Sequence, residues 1–380
     1  MGDLSHLDRL LEDFIKDGPP GAGLKVLIGN TPVYERYLGY ADLENGIRFS
    51  SGTILQLASM TKCIAVTAVM QLYEQGEFLL TDPVSKFIPS YKNQKVFKVD
   101  GRGNITALPA KREVTIGHMF DMTSGLTLSW DWENLNSKAI TKAYRRLVEE
   151  DKNTLQEFAK AAGEIPAAFE PGEHYFYGQS HDILAAILEI ITGMTFGQYL
   201  KKYIFEPLNM PDMHFFVPEE KTSRIAVLYN LADGKRTPGQ LPPIFNTKTF
   251  ESACGGLYGT IEDYSHFAVA MTMGEYNGVR LLNENTIRLM AMNRLNPQAM
   301  NDFENAYLAG YGYGLGLRTR MKPAAGANTS IGEFGWTGGF GTYVLMDPVK
   351  QITIVYGHNS MPNREEYIHP RIRNIVYSGI

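Results

Sequence analysis

Ser59-Met60-Thr61-Lys62 places a hydroxyl and an amine three residues apart at the start of a strongly helical segment. At that spacing, side chains lie about one turn apart on the same helix face, so the Lys62 amine can reach Ser59 Oγ. A serine hydroxyl is a poor nucleophile until a base takes its proton. A lysine amine serves as that base when burial or neighbouring positive charge lowers its pKa from about 10.4. A helix N-terminus helps on both counts, because its dipole disfavours the lysine cation and its free N–H groups stabilise a developing oxyanion. The plain alternative is that Ser59 is an N-cap, the commonest use of serine at a helix start.

The element that must position this pair runs from Ser59 to Gln75. Ile64, Val66, Ala68, Val69 and Leu72 are apolar, no Gly or Pro interrupts, and Gly76 supplies a stop. That pattern predicts a buried helix. At 380 residues the chain can bury a large core and exceeds one simple domain, so two domains or one domain with an insertion are expected. A hydrophobic fraction of 44% and a charged fraction of 20% are those of an ordinary globular chain. A net charge of -5 without a basic stripe argues against nucleic acid and anionic membranes as partners.

Met1 to Asp17 reads as an amphipathic helix with Leu4, Leu7, Leu10, Leu11 and Phe14 on one face. It lacks the layout of a signal peptide, and no apolar run approaches the roughly 18 to 20 residues that span a bilayer, so a cytoplasmic location is the expectation. The two cysteines, Cys63 and Cys254, are expected to be free and buried.

Ala22 to Asn30 and Val33 to Tyr40 read as a hairpin joined across Thr31-Pro32. Phe334 to Thr337, Thr342 to Met346 and Ile352 to Tyr356 are strand-like, the last two linked by the turn signal Asp347-Pro348-Val349-Lys350. Short links make antiparallel neighbours. Tyr367 to Tyr377 carries Ile368, Ile372, Ile375 and Val376 at helical spacing and would cover one face of the sheet. Between these ends, helical segments such as Ile183 to Thr192 alternate with Pro- and Gly-containing loops, and Arg236 to Pro243 reads as an exposed loop. The expected fold is therefore α/β (α+β): a central antiparallel sheet flanked by N- and C-terminal helices, formed by residues 1–81 and 244–380. Residues 82–243 form a mostly helical insertion, with the site in the cleft between the two parts.

Further blocks carry a resemblance. They are Asp82-Pro83-Val84-Ser85-Lys86-Phe87-Ile88-Pro89, Met122-Thr123-Ser124-Gly125-Leu126, and Pro171-Gly172-Glu173-His174-Tyr175-Phe176-Tyr177-Gly178-Gln179. Ile204-Phe205-Glu206-Pro207-Leu208-Asn209-Met210 and Gly255-Gly256-Leu257-Tyr258-Gly259-Thr260 with Asp263 follow in order. Together with Ser59 and Lys62 they resemble the serine β-lactamase and penicillin-binding-protein superfamily. The branch with class C β-lactamases, D-stereospecific peptidases and family VIII carboxylesterases is the most similar. The resemblance runs from about Gly39 to Tyr356.

The resemblance implies a tyrosine facing the serine and lysine, and its matching position is Tyr177. A phenol beside an ammonium can relay a proton between Ser59 and a leaving group. The literal Tyr-x-Asn at Tyr91-Lys92-Asn93 falls where the family has a surface segment and reads as a decoy. Gln179 stands where the family has an asparagine that helps hold the lysine and the substrate amide, which weakens the case for amide or β-lactam substrates.

The family's Lys-Thr-Gly or His-Thr-Gly is replaced by Trp336-Thr337-Gly338-Gly339. Gly338 and Gly339 let backbone approach substrate, and by analogy the Gly339 N–H joins that of Ser59 in an oxyanion hole. An indole at 336 replaces a cation that would pair with a substrate carboxylate, favouring uncharged acyl substrates. Trp130 and Trp132 fall where relatives line the entrance, and they either bind an acyl group or anchor that loop.

Competing chemistries find little support. No Gly-x-Ser-x-Gly elbow, His-Glu-x-x-His metal motif or phosphate-binding glycine fingerprint occurs. His118, His181 and His358 read as hydrogen-bonded residues, and Tyr311 to Gly316 as sheet with close backbone contacts. No metal or cofactor is called for. The expected function is an acyl-enzyme serine hydrolase with Ser59, Lys62 and Tyr177 as its catalytic residues, acting on a small ester or amide and preferring esters. A β-lactamase, a D-amino-acid amidase or peptidase, an acyltransferase, and a binding or assembly protein of the same fold remain the alternatives.

Overall fold

The computed structural model describes residues 3–102, 104–127, 135–240, 249–304 and 309–380. Its centre is an eight-stranded sheet. Across the sheet the strands run Tyr311–Tyr313, Arg318–Arg320, Phe334–Gly338, Thr342–Asp347, Ile352–Gly357, Gly21–Ile28, Thr31–Asp42 and Ile47–Arg48. Each neighbouring pair is antiparallel. The amino-terminal hairpin thus docks onto the carboxy-terminal meander through Gly21–Ile28 and Ile352–Gly357, closing the chain on itself.

Alternation along the strands divides the residues between two faces. Tyr343, Leu345, Ile352, Ile354 and Tyr356 join Ala22, Leu24 and Val26 in one cluster. The amphipathic helices Ser5–Asp17 and Glu365–Ser378 cover it with Leu7, Leu11, Phe14, Ile368, Ile372 and Val376. Val344, Met346 and Val355 point the other way, into the main core. That core contains the helix Thr61–Glu74, buried on nearly all sides, and continues into Ile183, Leu184 and Ile187 of the helix Ser180–Thr192. Both cysteines are free and buried.

Three local readings are corrected. The amino-terminal hairpin turns at Gly29-Asn30, because Thr31 already pairs with Ile28 and Pro32 with Leu27 across a bulge. Pro32 is tolerated there because the strand Ile47–Arg48 pairs only with Tyr40 and Asp42, leaving the Pro32 end of its strand on an open edge. Within Arg236 to Pro243, residues Lys235–Pro238 form a strand against Tyr229–Ala232, reversed at Asp233-Gly234, where both residues have positive φ; residues 241–243 lie outside the described residues. The mostly helical stretch also holds a second hairpin, Lys95–Val99 with Ile105–Pro109.

Candidate active site

Ser59 sits at the end of a tightly held turn. Leu55 and Gln56 pair with Gly259 and Tyr258, and the Leu57 N–H donates to the Leu257 carbonyl at 2.9 Å. Ala58 then takes a positive φ of 46°, an uncommon conformation for a residue with a side chain. It reverses the chain into a short 3-10 turn, Ala58–Met60, and the α-helix starts at Thr61, so Ser59 precedes the regular helix by two residues. Tyr264 Oη donates to the Met60 carbonyl at 2.8 Å and Thr342 Oγ1 donates to that of Leu57 at 2.8 Å, which fixes the turn from both sides. Ser59 itself is partly exposed.

Lys62 is 1% exposed. Its Nζ lies 3.4 Å from Ser59 Oγ, donates to the Cys254 carbonyl at 2.6 Å, and stands 4.6 Å from the centre of the Tyr177 ring. The spacing argument for the serine–lysine pair therefore matches the geometry, but the charge argument is corrected. Burial is the largest influence on Lys62 and pushes its pKa down, yet Tyr177, Cys254 and Asp182 together outweigh it and the net direction is upward. Anionic and polar partners crowd this amine, so the ammonium is the resting form.

Tyr177 is half-buried on the loop before the helix Ser180–Thr192. Its ring stacks on Trp336, with centroids 5.4 Å apart and planes at 28°. The Trp336 indole Nε1–H donates to the Tyr177 phenol oxygen at 3.0 Å. Trp336 is only 7% exposed, with its ring packed edge-on against Tyr313 at 5.1 Å. An N–H donor on a phenol oxygen stabilises negative charge there, so the indole supports Tyr177. Sequence reasoning placed Trp336 against substrate and missed this bond, for which the side chain's single donor was the available signal.

Glycines allow the close approaches. A Cβ at 338 would collide with the Leu57 carbonyl oxygen and Thr342 Oγ1, so Gly338 lets the strand Phe334–Gly338 press against the turn that carries Ser59. A Cβ at 178 would collide with the Leu126 carbonyl oxygen, and Gly178 thereby seats the Tyr177 loop on the Thr123-Ser124-Gly125-Leu126 segment. Ser124 Oγ and Ser180 Oγ, 2.8 Å apart, tie the same two segments. Gly339 is exposed, just past the end of that strand, and its carbonyl accepts from Asn363 Nδ2 at 3.1 Å.

The remaining expected residues are distributed differently. Gln179 is 2% exposed and its Oε1 has no hydrogen-bond partner among the described residues; the Cys254 carbonyl takes the lysine's hydrogen bond instead. Trp130 and Trp132 lie outside the described residues. Tyr91 is buried in the core, 1% exposed. His118 accepts from the Thr115 N–H, while His181 and His358 bond the Phe120 carbonyl and Tyr356 Oη. Among the described residues, no group of three or more His, Cys, Asp or Glu is placed to hold a metal ion. No single helix among them is long and apolar enough to cross a membrane.

The family model described as Beta-lactamase matches residues 7–377. The chain belongs to the beta-lactamase family. Members of this family are generally serine hydrolases. The relatives include the uncharacterized protein MT1414 of Mycobacterium tuberculosis, 30% identical over 84% of this chain and 80% of its own length. A Salmonella typhimurium protein provisionally named a D-alanyl-D-alanine carboxypeptidase is 27% identical over 99% of this chain and 87% of its own. Solved structures show the shared fold. Unliganded simvastatin synthase (LovD) from Aspergillus terreus superimposes with a TM-score of 0.84 at 21% identity, covering 100% of this chain and 99% of that one. EstCE1, a hydrolase with promiscuous acyltransferase activity, gives 0.81 at 21% identity, covering 98% of both chains.

Proposed function

We propose that this protein is a serine hydrolase that forms an acyl-enzyme on Ser59 and acts on small uncharged esters. The observation that carries the substrate class is Trp336. Where the family resemblance puts a lysine or histidine, this chain has a neutral ring whose one polar hydrogen is already committed to Tyr177. Such a wall has no charge with which to hold a substrate carboxylate, the feature shared by penicillins and peptide C-termini.

The described contacts support the following chemistry. Ser59 Oγ attacks the ester carbonyl and passes its proton to Tyr177 Oη, which reacts as the phenolate while Lys62 stays the ammonium. The Lys62 ammonium, 3.4 Å away, stabilises the developing alkoxide, and the Trp336 N–H supports charge on the Tyr177 oxygen. The backbone N–H groups of Ser59 and Gly339 receive the tetrahedral oxyanion. The alcohol departs with the proton, and water then attacks the acyl-enzyme along the reverse route.

The test is hydrolysis of p-nitrophenyl esters from acetate to decanoate, beside nitrocefin and a D-alanyl-D-alanine peptide, with Ser59→Ala as control. Ester turnover that vanishes in the variant, with the two carboxylate-bearing substrates barely touched, is the expected result. Faster hydrolysis of nitrocefin or the dipeptide than of any ester would overturn the substrate class.

A further inference from the structure

Behind Lys62 lies a carboxyl group that the mechanism above does not use. Asp182, in the first turn of the helix Ser180–Thr192, is fully buried. Its Oδ1 accepts from the backbone N–H of Cys254 at 3.0 Å and from Ser252 Oγ at 3.0 Å. Ser252 Oγ also accepts from the Cys254 N–H, at 3.2 Å. The carbonyl of the same Cys254 is the acceptor of Lys62 Nζ. A single residue therefore links a buried anion on its N–H side to the buried cation on its C=O side.

We infer that Asp182 is a positioning residue, which fixes the Cys254 carbonyl as the seat of Lys62 and supplies the counter-charge that keeps Lys62 protonated beside Ser59. The inference rests on the reading of Ser59 as nucleophile and deepens it. A buried carboxylate is costly, and here the two donors both serve Oδ1 while Oδ2 has no hydrogen-bond partner among the described residues, so a nearby cation is what offsets its charge. Burial pushes the Asp182 pKa up to about 6, with Lys62, Cys254 and Ser252 pulling it back, so the group is ionised at neutral pH. Cys254, Tyr313, Tyr144 and His181, which also face the pair, are neutral there. Burial holds the Cys254 thiol and the Tyr313 phenol well above their ordinary values, raises Tyr144, and lowers His181 to about 3. Tyr177 faces Lys62 as well, its ring centre 4.6 Å from Nζ.

The experiment follows the rate of Ser59 modification by a fluorophosphonate probe as a function of pH, in the parent, in Asp182→Asn and in Ser252→Ala. Asn keeps the shape and an acceptor oxygen but removes the charge; Ser252→Ala keeps the charge. The limb governed by the Lys62–Tyr177 pair is expected to move to lower pH by about one unit in Asp182→Asn, the size of a charge contact in a partly polar interior, and to stay within about 0.3 units in Ser252→Ala. A structural role alone would slow labelling or lower the melting temperature without moving that limb. Should Asp182→Asn fail to fold, the reciprocal measurement stands on its own. The Asp182 titration, read from a 13C-labelled carboxyl resonance, must rise by a similar amount in Lys62→Met. An unmoved limb in a well-labelled Asp182→Asn, or an Asp182 midpoint indifferent to Lys62, overturns the inference while leaving the nucleophile intact. A parent protein that the probe does not label at Ser59 overturns both.

Discussion

Replacing Trp336 by Phe isolates a single hydrogen bond. The indole Nε1–H donates to Tyr177 Oη at 3.0 Å, and phenyl retains an aromatic ring for the 5.4 Å stack while losing that donor. A hydrogen bond to a neutral acceptor is worth about 0.5–1.5 kcal/mol net, and one to a charged acceptor about 1.5–3 kcal/mol. Only the difference between resting and transition states affects the rate. Tyr177 must reach the phenolate to accept the serine proton, and the bond contributes about 1–2 kcal/mol more to that form than to the neutral phenol, so its loss lowers kcat/KM roughly 5- to 30-fold on the acid limb of the pH profile. The loss is expected in kcat, and to the same extent for p-nitrophenyl acetate and octanoate, because the donor acts on Tyr177 and leaves the acyl pocket unchanged. In a Tyr177→Phe background the same substitution is expected to cost almost nothing, a coupling of about 1–2 kcal/mol in the double-mutant cycle. Fully additive losses, or a loss that grows with chain length and falls in KM, would refute the reasoning and leave Trp336 with the role of a substrate wall alone.

Other outcomes follow from the same geometry. Ser59→Ala is expected to remove ester hydrolysis and fluorophosphonate labelling by at least about 1,000-fold while leaving the melting temperature within a few degrees, read by calorimetry. Gly338→Ala forces a Cβ into the Leu57 carbonyl and Thr342 Oγ1, so it is expected to cost about 1–3 kcal/mol in urea denaturation and to lower kcat as the Ser59 turn shifts. Asp182→Asn is expected to stabilise the fold at pH 8. A carboxyl pKa raised from 3.8 to about 6 disfavours the folded state once the group ionises; this corresponds to about 3 kcal/mol as an upper bound. The cost is fully present above pH 6 and fades as pH falls towards 4, so denaturation curves of parent and variant should converge near pH 4 and diverge above pH 6.

What the sequence made legible follows the range of each interaction. Ser59 and Lys62 meet within one helical turn, and three strands of the carboxy-terminal meander, Phe334–Gly338, Thr342–Asp347 and Ile352–Gly357, are marked by their short links and apolar runs. The long-range parts were hidden in different ways. Cys254 contributes a backbone carbonyl, and any residue has one, so its identity carries no signal. Asp182 looks like an ordinary acidic residue in a first helical turn, where the helix dipole alone would explain it. The resemblance marked Tyr177 and Trp336 separately, but the bond between them depends on how a loop and a strand distant in sequence meet in the fold. The upward shift of Lys62 was misjudged because burial was weighed without the partners that burial brought along. The Lys235–Pro238 strand, by contrast, had a readable signal in Asp233-Gly234 that its prolines obscured.

The Trp336–Tyr177 pair also bears on how this protein can diverge. Trp336→Lys would offer a charge to carboxylate-bearing substrates, but the same step discards the indole stack, the donor to Tyr177 and the edge contact with Tyr313. It would also set a second ammonium near Lys62, across the Tyr177 ring. On the proposed function, a lineage moving from uncharged to carboxylate-bearing substrates by this route gives up those contacts in the same step, unless the surrounding aromatic residues change first. On that proposal, substrate preference is tied by epistasis to these residues as a group, and laboratory evolution that varies position 336 alone should return tryptophan.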